Sequence, residues 1–280
     1  MIKFGPSGFC DEFIEKYNAT DFMPTWLNEN GLTAYELSFT NGVRLSDETA
    51  ERYGKIFKDA NIDMSVHAPY FINFANSDDL AIEKSMGYII SSLQKMRFLG
   101  VKKLVFHPGS LMKMTREEAF ENTYRNIKEL IKRLDEIGLS DFILCPETMG
   151  KHGQVGTVEE IAKLCMIDER IIPTLDFGHI NSFGLGSLMA EEDYENVFMT
   201  LKRYIGDRYK NVHIHFSKIE YGKKGEIRHL TFEDNVYGPN FEPMVKVLKK
   251  HDISANIICE SRGTQTKDAK IMKNIFETLD

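Results

Sequence analysis

Short apolar, β-branched runs recur along the chain at intervals of roughly 25 to 40 residues, and each is followed by a stretch of helical period. Eight such runs are present: Ile2–Gly5, Ala34–Phe39, Ile62–His67, Lys103–His107, Phe142–Glu147, Ile171–Asp176, Val212–Phe216 and Ile257–Glu260. Several, such as Ile171–Leu175, are mostly apolar instead of alternating, as expected of parallel strands buried on both faces. The segments between them are amphipathic, for example Ala81–Leu99 and Arg116–Ile137. The second opens with Thr115 three residues before Glu118, the spacing of a capping box. Strand then helix, eight times, predicts an α/β fold of the (β/α)8 TIM-barrel type. The 280 residues are close to the roughly 250 typical of that fold, and a single domain over 1–280 is expected. No internal repeat, low-complexity segment or linker interrupts the pattern.

In such a barrel the residues that end the strands face the catalytic mouth. Read in order, these ends are rich in metal-ligand types. The third run ends in His67-Ala68-Pro69-Tyr70 and the fourth in His107-Pro108-Gly109. The fifth closes on Glu147, and the sixth is followed by Asp176 and His179. The seventh reads His213-Ile214-His215, and the eighth closes on Glu260. A single histidine or acid of this kind is ordinary core or capping chemistry, and Asp176 alone would pass as a helix cap. Recurrence at six successive strand ends points instead to a polynuclear metal site. His213 and His215 are two apart on a strand and share a face, so both point inward, one as a ligand and the other beneath it or toward substrate. His152 lies in a loop above the mouth, and His251 reads as a cation at a helix C-terminus.

Composition narrows the setting. There is no apolar run long enough to span a membrane and no charged-then-apolar leader, so a cytoplasmic protein with no membrane partner is expected. The four cysteines, Cys10, Cys145, Cys165 and Cys259, lack C-x-x-C spacing, which argues against a disulfide framework or a thiolate zinc knuckle. A net charge of −7 argues against a protein coated in basic surface but is compatible with a basic rim around an acidic, metal-filled pocket.

The combination of His67-Ala-Pro-Tyr70, His107-Pro-Gly-Ser110, Glu147-Thr, Asp176-x-x-His179, His213-x-x-x-x-Lys218, Arg228-His229 and Glu260 resembles the endonuclease IV family of apurinic/apyrimidinic endonucleases. The resemblance spans nearly the whole chain. It implies a monomeric enzyme that cleaves double-stranded DNA at abasic sites in base excision repair, with three Zn2+ ions. It places His67 and His107 on one zinc. Glu147 would bridge to a second that also takes Asp176, His213 and Glu260, and His179 with His229 would hold the third. Glu147 and Glu260 are then the carboxylates on which catalysis depends. Arg44, Lys151, Lys218 and Arg228, with Lys223 and Lys224, would supply phosphate contacts, and Tyr70 matches an aromatic that the family inserts at the lesion.

The chain departs from that family's pattern in three places. Ile227 stands where an Asp ligand to the third zinc is expected, two residues before His229, and Glu226 is the nearest substitute. Recruiting it requires a bulge or turn in Gly222–Arg228, for which Gly222 and Gly225 are suited. Phe232-Glu233-Asp234-Asn235 replaces a glycine-flanked Glu, and the first strand reads Gly5-Pro6-Ser7-Gly8 in place of Gly-x-His. The chain therefore reads as a divergent member. Two other functions stay open: a divalent-metal sugar isomerase or epimerase of the wider xylose-isomerase-like superfamily, and a barrel that has lost activity and serves as a binding protein.

Overall fold

Residues 1–279 are described by a computed structural model. Eight parallel strands form its centre: β1 (Ile2–Pro6), β2 (Ala34–Ser38), β3 (Asp63–His67), β4 (Lys103–Phe106), β5 (Ile143–Pro146), β6 (Thr174–Asp176), β7 (Asn211–Phe216) and β8 (Ser254–Cys259). Hydrogen bonding runs in the order β2-β3-β4-β5 and β1-β8-β7-β6. Two seams close the ring. A parallel bridge from Ser7 to Glu36 joins β1 to β2, and bridges Leu144–Ile171 and Glu147–Thr174 join β5 to β6. At the first seam the backbones nearly touch: a Cβ on Gly5 would lie 1.7 Å from the Ala34 carbonyl oxygen, so only glycine fits there.

Strand boundaries differ from the sequence pattern at two points. The ladder of β6 starts at Thr174 and not at Ile171, because Pro173 has no N–H to give. The β8 strand begins at Ser254, three residues before the apolar run, because Asn256 points inward and donates to Asp63 at 3.1 Å. Helices cover the outside. Arg116–Glu136 starts with the capping box, the Thr115 backbone N–H donating to the Glu118 carboxylate at 2.8 Å, and Asp79–Leu99 ends at Gly100 in the left-handed region, φ 67°. Alternate strand residues bury against the helices and the loops beside them: Tyr35 stacks on Phe57, Phe106 meets Phe74 in the loop after β3 edge-on, and Phe216 meets Phe241 edge-on.

The other set of strand residues fills the barrel and is largely polar: Glu36, Ser65, His67, Thr174, Asp176, His213, His215 and Asn256 are all buried, beside the apolar Val105, Cys145 and Ile258. Burying that many polar groups costs stability unless they are paired or hold a cation. All four cysteines are buried and free, and no helix among the described residues is long and apolar enough to cross a membrane. An antiparallel hairpin, Lys218–Gly222 with Gly225–Leu230, follows β7 and leans over the mouth.

Candidate metal centre

Every donor in the mouth is delivered by the end of a barrel strand or by the loop after it. His67 closes β3, His107 follows β4, Glu147 follows β5, Asp176 closes β6, and Glu260 follows β8. His179 sits in the first turn of the helix Phe177–Phe183, where the Asp176 carboxylate accepts its backbone N–H at 2.8 Å. Asp176 is thus a helix cap through Oδ1 and still presents Oδ2, which is fully buried and has no hydrogen-bond partner. The hairpin contributes Glu226 and His229.

Three adjacent donor sets result: His67, His107 and Glu147; Glu147, Asp176, His215 and Glu260; and His179, Glu226 and His229. Glu147 connects the first two. Its Oε2 lies 3.2 Å from Nε2 of both His67 and His107, and its Oε1 lies 3.1 Å from His215 Nδ1. Glu260 leans toward the third, Oε1 3.5 Å from His215 Nδ1 and Oε2 3.9 Å from His229 Nδ1. His179 Nε2 is 3.5 Å from Glu226 Oε2. All of these donors but Asp176 and His215, which are fully buried, line a cavity of about 430 Å³ with Tyr70 and Lys151 at its rim. A larger cleft of about 740 Å³, around Gly54, Leu99 and Lys102, gathers no such set.

Outer partners select which ring nitrogen faces the cavity. His67 Nδ1 donates to the Ala68 carbonyl at 2.9 Å and His179 Nδ1 to the Thr148 carbonyl at 2.9 Å, which leaves both Nε2 lone pairs free for a metal. Ser217 Oγ lies 2.8 Å from His229 Nδ1 and does the same there.

The electrostatics fit cation ligands. Burial would push the Glu147 carboxyl up, but the charges and hydrogen bonds of His215, His107 and His179 hold it well below the usual carboxylate range. Burial opposes charge on His67, yet the hydrogen bond and charge of Glu147 raise it to about 9. Burial likewise disfavours charge on His179 and His215, and their carboxylate neighbours, Asp176 and Glu36 first, outweigh it and raise both well above the ordinary value. Here acids and imidazoles compensate one another by sharing protons. Ligation needs ionised carboxylates and neutral imidazoles, so divalent cations held here would displace those protons and take over the compensation. The orphaned Asp176 Oδ2 and the mixed nitrogen and oxygen donors suit zinc.

Several expected residues sit elsewhere. His213, expected as a ligand of the second zinc, is not gathered with Glu147, Asp176 and Glu260; His215 is. Both face inward, but His215 is level with Asp176 in the ladder while His213 is level with Thr174, one layer deeper, where its Nε2 meets Glu36 at 2.9 Å. Lys218 does not reach the cavity, because its ammonium is spent on the carbonyls of Phe232 and Asp234. Arg228 points outward and pairs with Glu220 at 2.6 Å, and Arg44 is exposed on the loop after β2, away from the lining. Lys151 does line the cavity, its Nζ 4.0 Å from Glu226. The Tyr70 ring is 60% exposed, 5.5 Å from the His107 ring. His152 donates to or accepts at no cavity group; its Nε2 holds the Phe183 carbonyl at 2.8 Å. Glu36 was missed, although an acid inside an otherwise apolar strand is a signal of its own.

Comparison with known proteins places these features in a wider group. The family model for xylose isomerase-like TIM barrels matches residues 24–279. An uncharacterized protein of Methanocaldococcus jannaschii is 32% identical over 98% of this chain and 96% of its own length. A protein of Mycoplasma genitalium named "Probable endonuclease 4" is 28% identical over 75% of this chain and 72% of its own. Among solved structures, endonuclease IV from Thermus thermophilus superposes with a TM-score of 0.69 at 21% identity, covering 99% of this chain and 98% of that one. A D-tagatose 3-epimerase-like protein superposes with a TM-score of 0.72 at 20% identity, covering 98% and 97%. At such identities the structures share the fold alone.

Proposed function

This chain belongs to the xylose isomerase-like TIM barrel family, and within it we propose that the protein is a zinc-dependent phosphodiesterase that cleaves double-stranded DNA at abasic sites. The observation that carries this reading is the third donor set, His179, Glu226 and His229, standing beside the two that Glu147 joins. A sugar isomerase or epimerase needs one or two carboxylate-rich sites. Four carboxylates among three divalent cations leave the centre positive, which suits a phosphodiester anion and not a neutral ketose. The similarity to proteins named endonuclease 4 supports the same choice.

Zinc held in these sets supplies Lewis acidity and makes water nucleophilic at neutral pH. The protein's own groups supply the rest. Glu147 fixes the spacing of the first two sets through its two oxygens. Glu260, whose carboxyl is raised chiefly by burial, reaches between the second and third and can orient an attacking water toward the cavity. Lys151 at the rim offers a phosphate contact, the one cation of the expected group that lines the cavity.

Metal analysis beside a nicking assay on an abasic duplex tests the proposal. The expected result is about three zinc per chain and incision that stops when zinc is chelated. One manganese or magnesium per chain, ketose epimerisation and an intact duplex would overturn it in favour of the sugar enzyme.

Tyr70 gives a second check. Its exposed ring stands beside the His67 and His107 rings, where it can stack on a base at a kinked lesion. Stacking of this kind is worth about 1–3 kcal/mol, or about fivefold to 150-fold in affinity. Tyr70→Ala is expected to weaken binding to abasic DNA by that factor at matched salt while the zinc count stays at the parent value. Unchanged affinity would assign the ring to loop packing.

A further inference from the structure

We propose that Glu36 is a positioning residue: buried beneath the metal centre on β2, it fixes the tautomer of His215 so that Nδ1 faces the second donor set. The inference rests on the metal-centre reading above and adds to it a residue outside all three donor sets.

The geometry is a column of four polar groups running down the barrel axis from the site, each without solvent exposure. His215 is its upper member. Nδ1 lies 3.1 Å from Glu147 Oε1 and 3.5 Å from Glu260 Oε1, while Nε2 points the other way, 2.9 Å from Glu36 Oε1. The approach of Nε2 to Oε1 is off the axis of an ideal hydrogen bond, but neither atom has another hydrogen-bond partner, so each is the other's only means of satisfaction. The second oxygen of Glu36 is held by Ser65 Oγ at 2.8 Å and by His213 Nε2 at 2.9 Å. His213 Nδ1 is buried with no partner at all, which identifies Nε2 as the nitrogen that carries its proton.

Three donors therefore converge on one carboxylate. A carboxylate that accepts the outer N–H of a ligating histidine orients the ring and strengthens the opposite nitrogen as a ligand. Glu36 does for His215 what backbone carbonyls do for His67 and His179 and what the Ser217 hydroxyl does for His229, but with a full negative charge. This also explains the His213-Ile214-His215 pair. The lower histidine is spent on holding the acid, and only the upper one is left for metal.

Glu36, His213 and His215 could instead enclose a fourth cation, since their donor atoms are close enough. Such an ion would be sealed from water with three ligands, where closed structural sites use four. Protons satisfy the same atoms with nothing missing, so the column is assigned to hydrogen bonding.

The test uses the whole chain, Glu36→Gln, and inorganic zinc and cobalt as probes. Nitrogen NMR of labelled histidines in the zinc-loaded parent is expected to show His215 protonated at Nε2. In Glu36→Gln that signature shifts, and competition with a chelator shows one of three zinc ions held about 10- to 100-fold more weakly, with the other two unchanged. Cobalt in the affected set should change its visible spectrum. Ser65→Ala, a small change that leaves the charge in place, should move the same ion by a lesser factor, and it carries the test if the Gln variant does not fold. Parent affinity and an unchanged His215 signature in a folded variant would overturn the inference while leaving the metal centre intact. Four zinc per chain with the His213 signals shifted would overturn it in favour of a buried fourth site, and a parent that binds no zinc would remove both readings. Three zinc without DNA incision would remove the nuclease assignment and leave the role of Glu36 standing.

Discussion

Glu147→Gln is expected to remove about two zinc ions per chain and to reduce incision of an abasic duplex by about a thousandfold or more, in a protein that stays folded. Glu147 belongs to two of the three donor sets, and its oxygens are divided between them: Oε2 for His67 and His107, Oε1 for His215. Glutamine keeps the shape and loses the charge. One of its two ends is also an amide N–H, a donor aimed at nitrogens that must stay free for metal, so one set loses its oxygen outright and the other keeps a weaker, neutral one. Lewis-acid stabilisation of a developing charge is worth several kcal/mol, and at about 1.4 kcal/mol per tenfold the loss reaches three powers of ten. The fold survives because the Glu147 side chain contacts the site and not the apolar layer between strands and helices. Glu260→Gln should cost about one zinc, since Glu260 belongs to one set only. Circular dichroism, metal analysis and the nicking assay check both variants. A folded Glu147→Gln that carries three zinc and cuts at the parent rate would remove Glu147 from the centre.

How much of this was legible in the sequence depends on what kind of information each feature carries. The eight strands were readable because their apolar and β-branched residues come in short runs bounded by turn residues, and that signal is local. It fails only where a residue breaks the rule for a structural reason, as at Pro173 and at Asn256. Most of the donors were readable for a different reason: a barrel exposes the ends of its strands, so position along a strand stands in for position in space. Depth was not readable. Period two says that His213 and His215 share a face, and only the register of β7 against β6 says that His215 is the one level with Asp176. Glu36 was hidden for the same reason, since its role follows from β2 lying across the barrel from β7. Long side chains were the least legible. Lys218 and Arg228 have the charge a phosphate contact needs, but a pair of carbonyls and the Glu220 carboxylate claim them first, and nothing in their spacing foretells it.

Glu226→Ala is expected to lower the zinc count by about one per chain and to slow incision by about a hundredfold or more, the size of losing one electrostatic contributor to the transition state. The reason lies in the hairpin. Its ladder pairs Glu220 with Arg228 and then Tyr221 with Glu226, so Ile227 is an extra residue on one strand, a β-bulge. In a regular strand, residues three apart face opposite ways. The bulge absorbs one position, and Glu226 turns to the same side as His229, toward His179. Ile227 is left 56% exposed on the outside. The hairpin tip is pinned in this form: Gly225, at φ 91°, passes so close to the Gly150 carbonyl that a Cβ would lie 2.1 Å from that oxygen, and Glu226 N–H donates to the same carbonyl at 3.0 Å. Three companion variants separate the bulge from the acid. Glu220→Ala should keep all three zinc ions, because Glu220 is half-buried, pairs with Arg228 and does not line the cavity. Adding Ile227→Asp to Glu226→Ala should not restore the third ion, because position 227 points away from the cavity. Deleting Ile227 should keep it, because Glu226 and His229 then stand two apart on a regular strand and still share a face. If instead Ile227→Asp rescues the ion, or Glu226→Ala never loses it, the third set is held by another residue and the bulge has no part in the chemistry.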